Sequence, residues 1–270
     1  MRERDPRRNR VLVFDSGLGG LTVYREITRA RPDVALIYAA DDAAFPYGAM
    51  SEAALVARVL EVIGKLIAIH APDLVVIACN TASTLVLGPL RARFPGTPFV
   101  GTVPAIKPAA AASRSRLVSL LATPATVARD YTAALVRDHA QGCAVTLVGS
   151  ALLAGLAEAR MRGDSIADAA IAAEIAPCFV EADGRRTDHV VLACTHYPLL
   201  RDEFERLAPW PVVFIDPAPA IARRADALLG PPVGEGPPAE RAVAVFTSGR
   251  SPGAALREAL AAFNLMAAGP

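Results

Sequence analysis

The segment "LVVIACNT" (74–81) aligns without a gap with "HVVLACTH" (189–196), and this repeat organises the whole chain. Each segment begins as an apolar run rich in β-branched residues, stops at a cysteine, and continues into small polar residues. A short apolar run of this kind, followed by a helical pattern, is typical of a strand buried in a parallel sheet. The repeat therefore predicts two similar halves, each of which ends a buried strand on cysteine.

Short apolar runs alternate with helical periods on both sides of these segments. The predicted strands span 11–15, 35–41, 74–79, 99–103, 116–123, 144–149, 189–194, 212–216 and 241–248. The predicted helices span 19–31, 51–70 (with Ser51 as its N-cap), 81–94, 124–140, 151–160, 165–176 and 197–208, with two more from 218 and from Ala254. This alternation indicates an α/β fold with two pseudo-symmetric lobes, each a mainly parallel sheet flanked by helices, and an active site between them.

Two proline-containing segments are candidates for the links between the lobes. "TVPAIKPA" (102–109) is expected to cross from the first lobe to the second, and "IDPAP" (215–219) to return. The predicted first lobe is therefore 1–102 plus 216–270, and the predicted second lobe is 103–215.

The composition excludes several classes of protein. Hydrophobic residues make up 53% of the chain and the net charge is +1, which favours neither nucleic acid nor an anionic membrane as partner. No apolar run is long enough to span a bilayer. Four cysteines without dense spacing argue against a disulfide scaffold and favour a reducing cytoplasm. No metal-ligand spacing occurs, and the arginine-rich "RERDPRRNR" (2–10) is expected to be a frayed leader.

The candidate functional residues follow the predicted strands. Ligands of open parallel sheets bind at the carboxyl ends of the strands. Polar residues lie there in "VFDSGLGG" (13–20), "IACNTAS" (77–83) and "LACTHYP" (192–198), with Thr123 and Thr126 after a fourth strand. Tyr47 and Gly48 lie in the loop before the long helix of 51–70.

Cys79 and Cys194 are the strongest candidates for catalytic residues, whereas Cys143 and Cys178 are interpreted as core residues. A helix start beside a strand-end thiol favours the thiolate, which can act as a base. Three chemistries compete: a disulfide switch, a cysteine hydrolase, and a two-base racemase with one thiolate and one thiol. The racemase needs each sulfur roughly 3–3.5 Å from the reacting carbon, which puts the two sulfurs about 6–8 Å apart.

Many amino acid racemases use pyridoxal phosphate bound to a lysine. The chain has two lysines, Lys65 and Lys107, and neither lies at a predicted strand end. A racemase built on this sequence is therefore expected to work without a cofactor.

The glycines of "DSGLGGLT" (15–22) allow two interpretations. They resemble a dinucleotide-binding loop, but Thr22 stands where the third glycine is needed and no P-loop lysine follows. The alternative is that they bring backbone N–H groups close to a small anion such as a carboxylate. Asp15 and Ser16 then face the same site, where Asp15 could relay a proton or hold an ammonium group.

Two further residues could assist the cysteines. His196 follows Cys194 by two residues and could tune it or move its proton. Glu158, in "GLAEARMRG" (155–163), is a weaker candidate because it could simply face solvent on a helix. His70, His139 and His189 are assigned to structure or surface.

The motifs "FDSGLGGLTV", "FPYG", "ACNTAS" and "ACTHYPLL", in this order and at these separations, resemble the glutamate racemases of the aspartate/glutamate racemase superfamily. The resemblance extends from Val11 to Leu265, and "VGSALLAGLAEARMRG" (148–163) is similar to the proteobacterial branch. It implies cofactor-independent interconversion of L- and D-glutamate, which supplies D-glutamate for peptidoglycan synthesis. In some proteobacterial members a peptidoglycan precursor activates the enzyme, and family members form dimers, so a homodimer is the default.

The resemblance also implies roles for individual residues. Cys79 would take the α-proton from D-glutamate and Cys194 would take it from L-glutamate, assisted by Asp15 and His196, with Glu158 at a further acidic position. The implied substrate contacts are Asp15, Ser16, Tyr47, Gly48, Asn80, Thr81, Thr123, Thr126, Thr195 and His196. Two departures from the family pattern, Ala193 in place of glycine and "ATPAT" (122–126), remove no functional group.

Two other functions remain open at this point. One is a related racemase of the same superfamily that acts on aspartate or a hydantoin. The other is a protein that binds a small anion in the same pocket without turnover, which glutamate binding without α-proton exchange would reveal.

Overall fold

The computed structural model of the chain describes residues 8–232 and 242–268. The strands are β1 (Arg10–Asp15), β2 (Ala35–Ala40), β3 (Leu74–Ile77), β4 (Phe99–Gly101), β5 (Leu117–Ala122), β6 (Ala144–Gly149), β7 (Glu181–Ala182), β8 (Arg185–Arg186), β9 (His189–Ala193), β10 (Val213–Ile215), β11 (Ala242–Phe246) and β12 (Leu265–Ala267). The helices are α1 (Leu21–Ala30), α2 (Glu52–His70), α3 (Asn80–Arg93), α4 (Ile106–Ala112), α5 (Pro124–Val127), α6 (Asp130–His139), α7 (Leu153–Met161), α8 (Asp168–Ile175), α9 (Arg201–Leu207), α10 (Ala218–Leu229) and α11 (Ala254–Ala262).

The chain divides into two compact units. The first comprises the described residues up to Thr102 together with those from Ala218 onward, and the second is Val103–Pro217. None of the helices within the described ranges combines the length and the hydropathy that a membrane crossing needs.

The first unit is built on a six-stranded sheet in the order β12-β11-β2-β1-β3-β4, in which every neighbouring pair is parallel. Its central strand β1 is buried along Val11–Phe14, as expected for a parallel strand with helices on both faces. Helix α1 packs against α10, and α2 packs against α3. Ser51 caps α2 as predicted, since its side chain accepts a hydrogen bond from the Ala54 N–H.

The second unit is built on a four-stranded sheet in the order β10-β9-β5-β6, which is also parallel throughout. Its core is formed by β5, β9 and α4, with Val118, Leu120 and Val191 buried. Strand β6 lies at one edge and is largely accessible to solvent. The pair β7 and β8 forms a small antiparallel hairpin outside this sheet.

The two units share one topology, which confirms the prediction of two similar α/β halves. The order β2-β1-β3-β4 in the first sheet corresponds to β6-β5-β9-β10 in the second. In both, the first strand lies between the second and the third, so the connections leave it in opposite directions. This arrangement creates a topological switch point at the carboxyl ends of β1 and β3, and another at β5 and β9.

Three predicted elements differ from the structure. Residues 124–140 form two helices, α5 and α6, because Arg129 is extended and the Thr132 hydroxyl donates to the Thr126 carbonyl at 2.6 Å. The last helix ends at Ala262, and Asn264, with a left-handed φ of 57°, turns the chain into β12. The predicted 102–109 link contains the start of α4 at Ile106, a helix that the sequence pattern did not indicate.

The arginine-rich start of the chain is only partly described. Arg2, Arg4 and Arg7 lie outside the described residues. Arg8 donates to the Asp33 carbonyl at 3.1 Å. Arg10 opens β1 and donates through its side chain to the His70 carbonyl at 3.2 Å. The interpretation of the segment as a frayed leader is therefore wrong for its last residues.

Candidate active site

The first unit presents Asp15 and Ser16 directly after β1. Asp15 is fully buried, and its Oδ2 accepts a hydrogen bond from the Gly20 N–H at 2.7 Å. A Cβ at Gly20 would lie 2.9 Å from the Asp15 Cβ and 3.1 Å from the Ala78 Cβ. The glycine is required because the loop passes this close to the ends of β1 and β3. The approach of the loop backbone to a small anion stays a prediction.

Cys79 lies at the switch point of the first unit and forms the N-cap of α3. It is 5% exposed, and its Sγ lies 4.0 Å from the Ser16 Oγ. Its neighbour Ala78 donates to the Phe14 carbonyl at 2.7 Å, which fixes the cysteine beside the end of β1. The first-turn N–H groups of a helix favour negative charge at this position.

Asn80 is the clearest sign that this edge of the sheet binds a ligand. Its side chain is buried, and within the part of the chain that the structure describes neither its Oδ1 nor its Nδ2 has a hydrogen-bond partner. A buried amide without partners costs free energy unless another molecule satisfies it. Thr81, next along the first turn of α3, is also buried.

Tyr47 lies in a 3₁₀ turn, Tyr47–Ala49, that follows the cis peptide bond between Phe45 and Pro46. Its hydroxyl donates to the Asp41 Oδ2 at 2.6 Å. Burial raises the pKa of Tyr47 far above its usual range, and the charges of Asp41, Cys79 and Asp15 raise it further. The phenol therefore stays a hydrogen-bond donor. Gly48, in the same turn, is exposed.

The second unit places Cys194 directly after β9, at its own switch point. Cys194 is 7% exposed, and its Sγ lies 3.9 Å from the His196 Nδ1. The other ring nitrogen, Nε2, lies 2.9 Å from the Glu158 Oε1, and the second Glu158 oxygen accepts from Arg162 at 2.8 Å. Glu158 and His196 are both buried, so the alternative of a solvent-facing Glu158 is wrong.

With Glu158 ionised, this arrangement favours one tautomer of His196. An ionised carboxylate only accepts hydrogen bonds, so the Nε2 that faces Glu158 carries a proton. In the neutral ring the Nδ1 then has a lone pair directed at Cys194, and it can accept the thiol proton. The geometry therefore suits His196 for moving a proton to and from Cys194.

Threonines surround the corresponding strand ends of the second unit. The Thr123 and Thr126 hydroxyls lie 3.0 Å apart, and Thr123 also caps α5 by accepting from the Thr126 N–H. Thr195 is buried next to Cys194. Tyr197 donates to the Ser150 carbonyl at 3.3 Å, and burial, reinforced by Cys194, raises its pKa well above the usual range.

The other two cysteines do not share this setting. Cys178 is fully buried, and burial raises its pKa to about 12, so it remains a thiol at neutral pH. Cys143 lies before the edge strand β6 and approaches the Ala110 carbonyl at 3.7 Å. The four cysteines are not joined in disulfides, and the described residues contain no cluster of three metal-ligating side chains.

Three residues at the first site escaped the sequence analysis: Asp41, Arg58 and Thr247. Asp41 accepts hydrogen bonds from Arg58, from Thr247 and from the Tyr47 hydroxyl. Asp41 carried a usable signal, because it is the polar last residue of a predicted strand. Arg58 and Thr247 carried none, since only the folded sheet brings them to Asp41.

Two parallel α/β units, each with a buried cysteine after a strand of its sheet, define the fold and the candidate site, and comparison with known proteins gives the class of protein. The chain belongs to the Asp/Glu/Hydantoin racemase family, which it matches over residues 12–225. As a member of this family it is an isomerase of the amino acid racemase type.

Individual relatives define the similarity more closely. The chain is 59% identical to the glutamate racemase of Mesorhizobium japonicum over 241 residues, which cover 89% of this chain and 92% of that one. It is 57% identical to the glutamate racemase of Rhizobium meliloti, with 94% and 92% covered. Among solved structures, it is similar to Escherichia coli glutamate racemase in complex with L-glutamate and the activator UDP-MurNAc-ala, with a TM-score of 0.87, 39% identity, and 96% and 97% of the two chains covered.

Proposed function

We propose that this protein interconverts L- and D-glutamate without a cofactor, with Cys79 and Cys194 as the two acid–base residues. The observation that carries the proposal is the placement of one cysteine at the equivalent switch point of each unit. Each cysteine adjoins buried polar groups, with Ser16 beside Cys79 and His196 beside Cys194. The named activity of the relatives supports glutamate as the substrate.

The mechanism requires the two sulfurs to approach opposite faces of one α-carbon. The Cys79 thiolate takes the α-proton of D-glutamate, and the Cys194 thiol donates its proton to the opposite face. The product is L-glutamate, with Cys79 now a thiol and Cys194 a thiolate. The reverse reaction starts from that state, so each cysteine serves as base for one enantiomer and as acid for the other.

The remaining site residues support these steps. Asp15 and His196 assist Cys79 and Cys194, and Glu158 orients His196. The unsatisfied Asn80 amide is suited to a substrate carboxylate, because its N–H₂ group can donate. The proposed substrate contacts are Ser16, Tyr47, Gly48, Asn80, Thr81, Thr123, Thr126 and Thr195 together with Asp15 and His196.

The cellular role that we propose is the supply of D-glutamate for peptidoglycan in the cytoplasm. The Escherichia coli relative binds an activator, UDP-MurNAc-ala. A similar peptidoglycan precursor is therefore a candidate activator here. A homodimer is the default assembly, and neither nucleic acid nor a membrane is expected as partner.

The experiment that tests the proposal follows α-proton exchange in D₂O. Purified protein is incubated with L-glutamate and, separately, with D-glutamate, without added cofactor, while optical activity and α-deuterium are recorded. Loss of optical activity from both enantiomers, with deuterium at the α-carbon, is expected. Exchange with aspartate or a hydantoin but not with glutamate would show that the substrate is one of those compounds and not glutamate. Glutamate binding without exchange, with and without UDP-MurNAc-ala, would contradict enzymatic function.

A further inference from the structure

Asp41 is a fully buried carboxylate at the end of β2, and side chains from three other parts of the first unit converge on it. Tyr47 donates to Oδ2 at 2.6 Å, and Thr247 donates to Oδ1 at 2.5 Å. Arg58, on α2, donates from Nε to Oδ2 at 3.0 Å and from Nη2 to Oδ1 at 2.6 Å. A buried carboxylate with this many donors is held in one orientation.

The C-terminal part of the chain supplies one of these donors. Strand β11 pairs with β2, so that Phe246 lies opposite Ala40 and Thr247 reaches Asp41. The Thr247 hydroxyl also accepts from the Ala43 N–H at 3.3 Å. Hydrogen bonds to Thr247, at the end of β11, therefore hold the first residues of the loop that leads to Tyr47.

The positive charge of Arg58 offsets the free-energy cost of burying the Asp41 carboxylate. Its guanidinium meets both Asp41 oxygens in a fork, and its own side chain is 29% exposed. Burial raises the pKa of Asp41, but the hydrogen bonds from Arg58, Thr247 and Tyr47 outweigh it and hold the pKa below its usual range. Asp41 therefore remains an acceptor for the Tyr47 hydroxyl throughout the neutral pH range.

We propose that Thr247 and Arg58 are positioning residues that act through Asp41 to hold Tyr47 at the substrate-binding edge of the first sheet. The inference rests on the proposed function, in which Tyr47 contacts the substrate. It adds a role for the end of β11, which contributes no proposed catalytic group, in setting the affinity for glutamate.

We expect loss of the Thr247 hydroxyl to weaken glutamate binding more than it slows proton transfer. Loss of the Thr247 hydroxyl leaves Arg58 as the side-chain donor to the Asp41 Oδ1, so the carboxylate is held less tightly and Tyr47 shifts with it. The side-chain hydrogen bonds to Asp41 come from Tyr47, Arg58 and Thr247 and not from Cys79 or Ser16, so we expect the thiol to keep its position. Because two enantiomers have equal free energies in solution, kcat/KM must fall by the same factor in both directions.

The test measures racemisation kinetics of Thr247→Val in both directions, with thermal unfolding in parallel. We expect KM to rise roughly three- to tenfold, the effect of one lost hydrogen bond, with kcat changed less. Thr247→Ser, which restores the hydroxyl, is expected to return KM to the wild-type value. Thr28→Val, which removes a hydroxyl that donates to the Tyr24 carbonyl on α1, is the matched control and should leave KM unchanged.

A double-mutant cycle with Tyr47→Phe separates positioning from general destabilisation. If Thr247 acts through Tyr47, the double variant has the KM of Tyr47→Phe alone, so the effects are not additive. Arg58→Lys, at a partly exposed position, gives a second variant that retains the charge but loses the fork, and a raised KM is again expected. Additive effects, or an unchanged KM in folded Thr247→Val and Arg58→Lys, would overturn the inference while leaving the racemase intact. Absence of racemisation by the wild type would overturn the proposed function and this inference with it.

Discussion

Cys79 and Cys194 are distinguished from Cys178 by their surroundings and not by their burial, whereas Cys143 is only partly buried. Both are buried, as Cys178 is, but each follows a strand at a switch point and adjoins polar side chains. A thiol can exchange protons with substrate only where substrate can reach it. The strand-end rule found both residues from sequence, because a cysteine after an apolar run is visible without any knowledge of the fold.

We predict that Cys79→Ser and Cys194→Ser each lower the rate of racemisation by a factor of about 10²–10⁴, which is the contribution of one acid–base group. Serine is nearly isosteric, so thermal unfolding should change little. Cys143→Ser is the matched control and should retain wild-type turnover. Stopped assays of both glutamate enantiomers measure the effect. Wild-type turnover by either of the first two variants would exclude the two-base assignment.

The sequence pattern around Glu158 did not decide whether its side chain is buried or faces solvent. Its helix α7 has buried and exposed positions, and a glutamate on such a helix usually faces water. The structure buries it because His196 and Arg162 provide a donor for each oxygen. Arg162 lies four residues after Glu158 and is visible from the local pattern, but His196 is 38 residues away and is not.

At the scale of elements, the loop after β1 depends on close packing at Gly20. Its Cβ position is bounded by Asp15, Ala78 and the Tyr38 hydroxyl, at 2.9, 3.1 and 3.1 Å. We predict that Gly20→Ala destabilises the protein by about 1–3 kcal/mol, the usual cost of overpacking. Racemisation should fall as well, because the displaced side chain is Asp15.

The matched control for Gly20 is Gly155→Ala, in α7, where an added Cβ meets nothing within 4 Å. That change should be neutral or stabilise by up to about 1 kcal/mol, because alanine is the better helix former. Urea unfolding of the two variants measures the difference. Equal stabilities for the two variants would contradict the packing argument.

The strands were predictable from sequence because each buried parallel strand is a short, nearly continuous apolar run. Breaks and pairings that depend on distant residues were not predictable. The division between α5 and α6 depends on the hydrogen bond from Thr132 to Thr126. Strand β12 forms because it pairs with β11 at the far edge of the first sheet, and no local pattern marks that pairing. The contact between Thr247 and Asp41 spans 206 residues and had no sequence signal at all.

At the scale of the whole molecule, each unit contains a carboxylate that is anchored by hydrogen bonds, and these anchors predict sensitivity to acid. Asp41 serves the first unit. In the second unit, burial raises the pKa of Asp188, but hydrogen bonds from Ser115, His189, Ser113 and Arg114 outweigh it and leave the pKa well below the usual range. These bonds join the start of β5 to the start of β9.

The sign of the pH dependence follows from the lowered pKa values. In the unfolded chain an aspartate titrates near pKa ~3.9, so the unfolded state binds protons before the folded state does. Both carboxylates therefore contribute stability in full above that value, and the contribution is lost progressively as the pH falls below it. We predict that the urea midpoint is level from neutral pH down to about 5 and then falls steeply.

Asp188→Asn tests this account within the second unit. The asparagine oxygen still accepts hydrogen bonds but does not titrate, so the variant should be less stable than the wild type at neutral pH and should lose less stability in acid. Asp183→Asn, on an 86% exposed side chain in the β7–β8 turn, is the control and should follow the wild-type curve. Because Asp41 stays in place, a residual acid dependence is expected in Asp188→Asn. An acid dependence as steep as that of the wild type would show that the Asp188 anchor does not govern the stability of the molecule in acid.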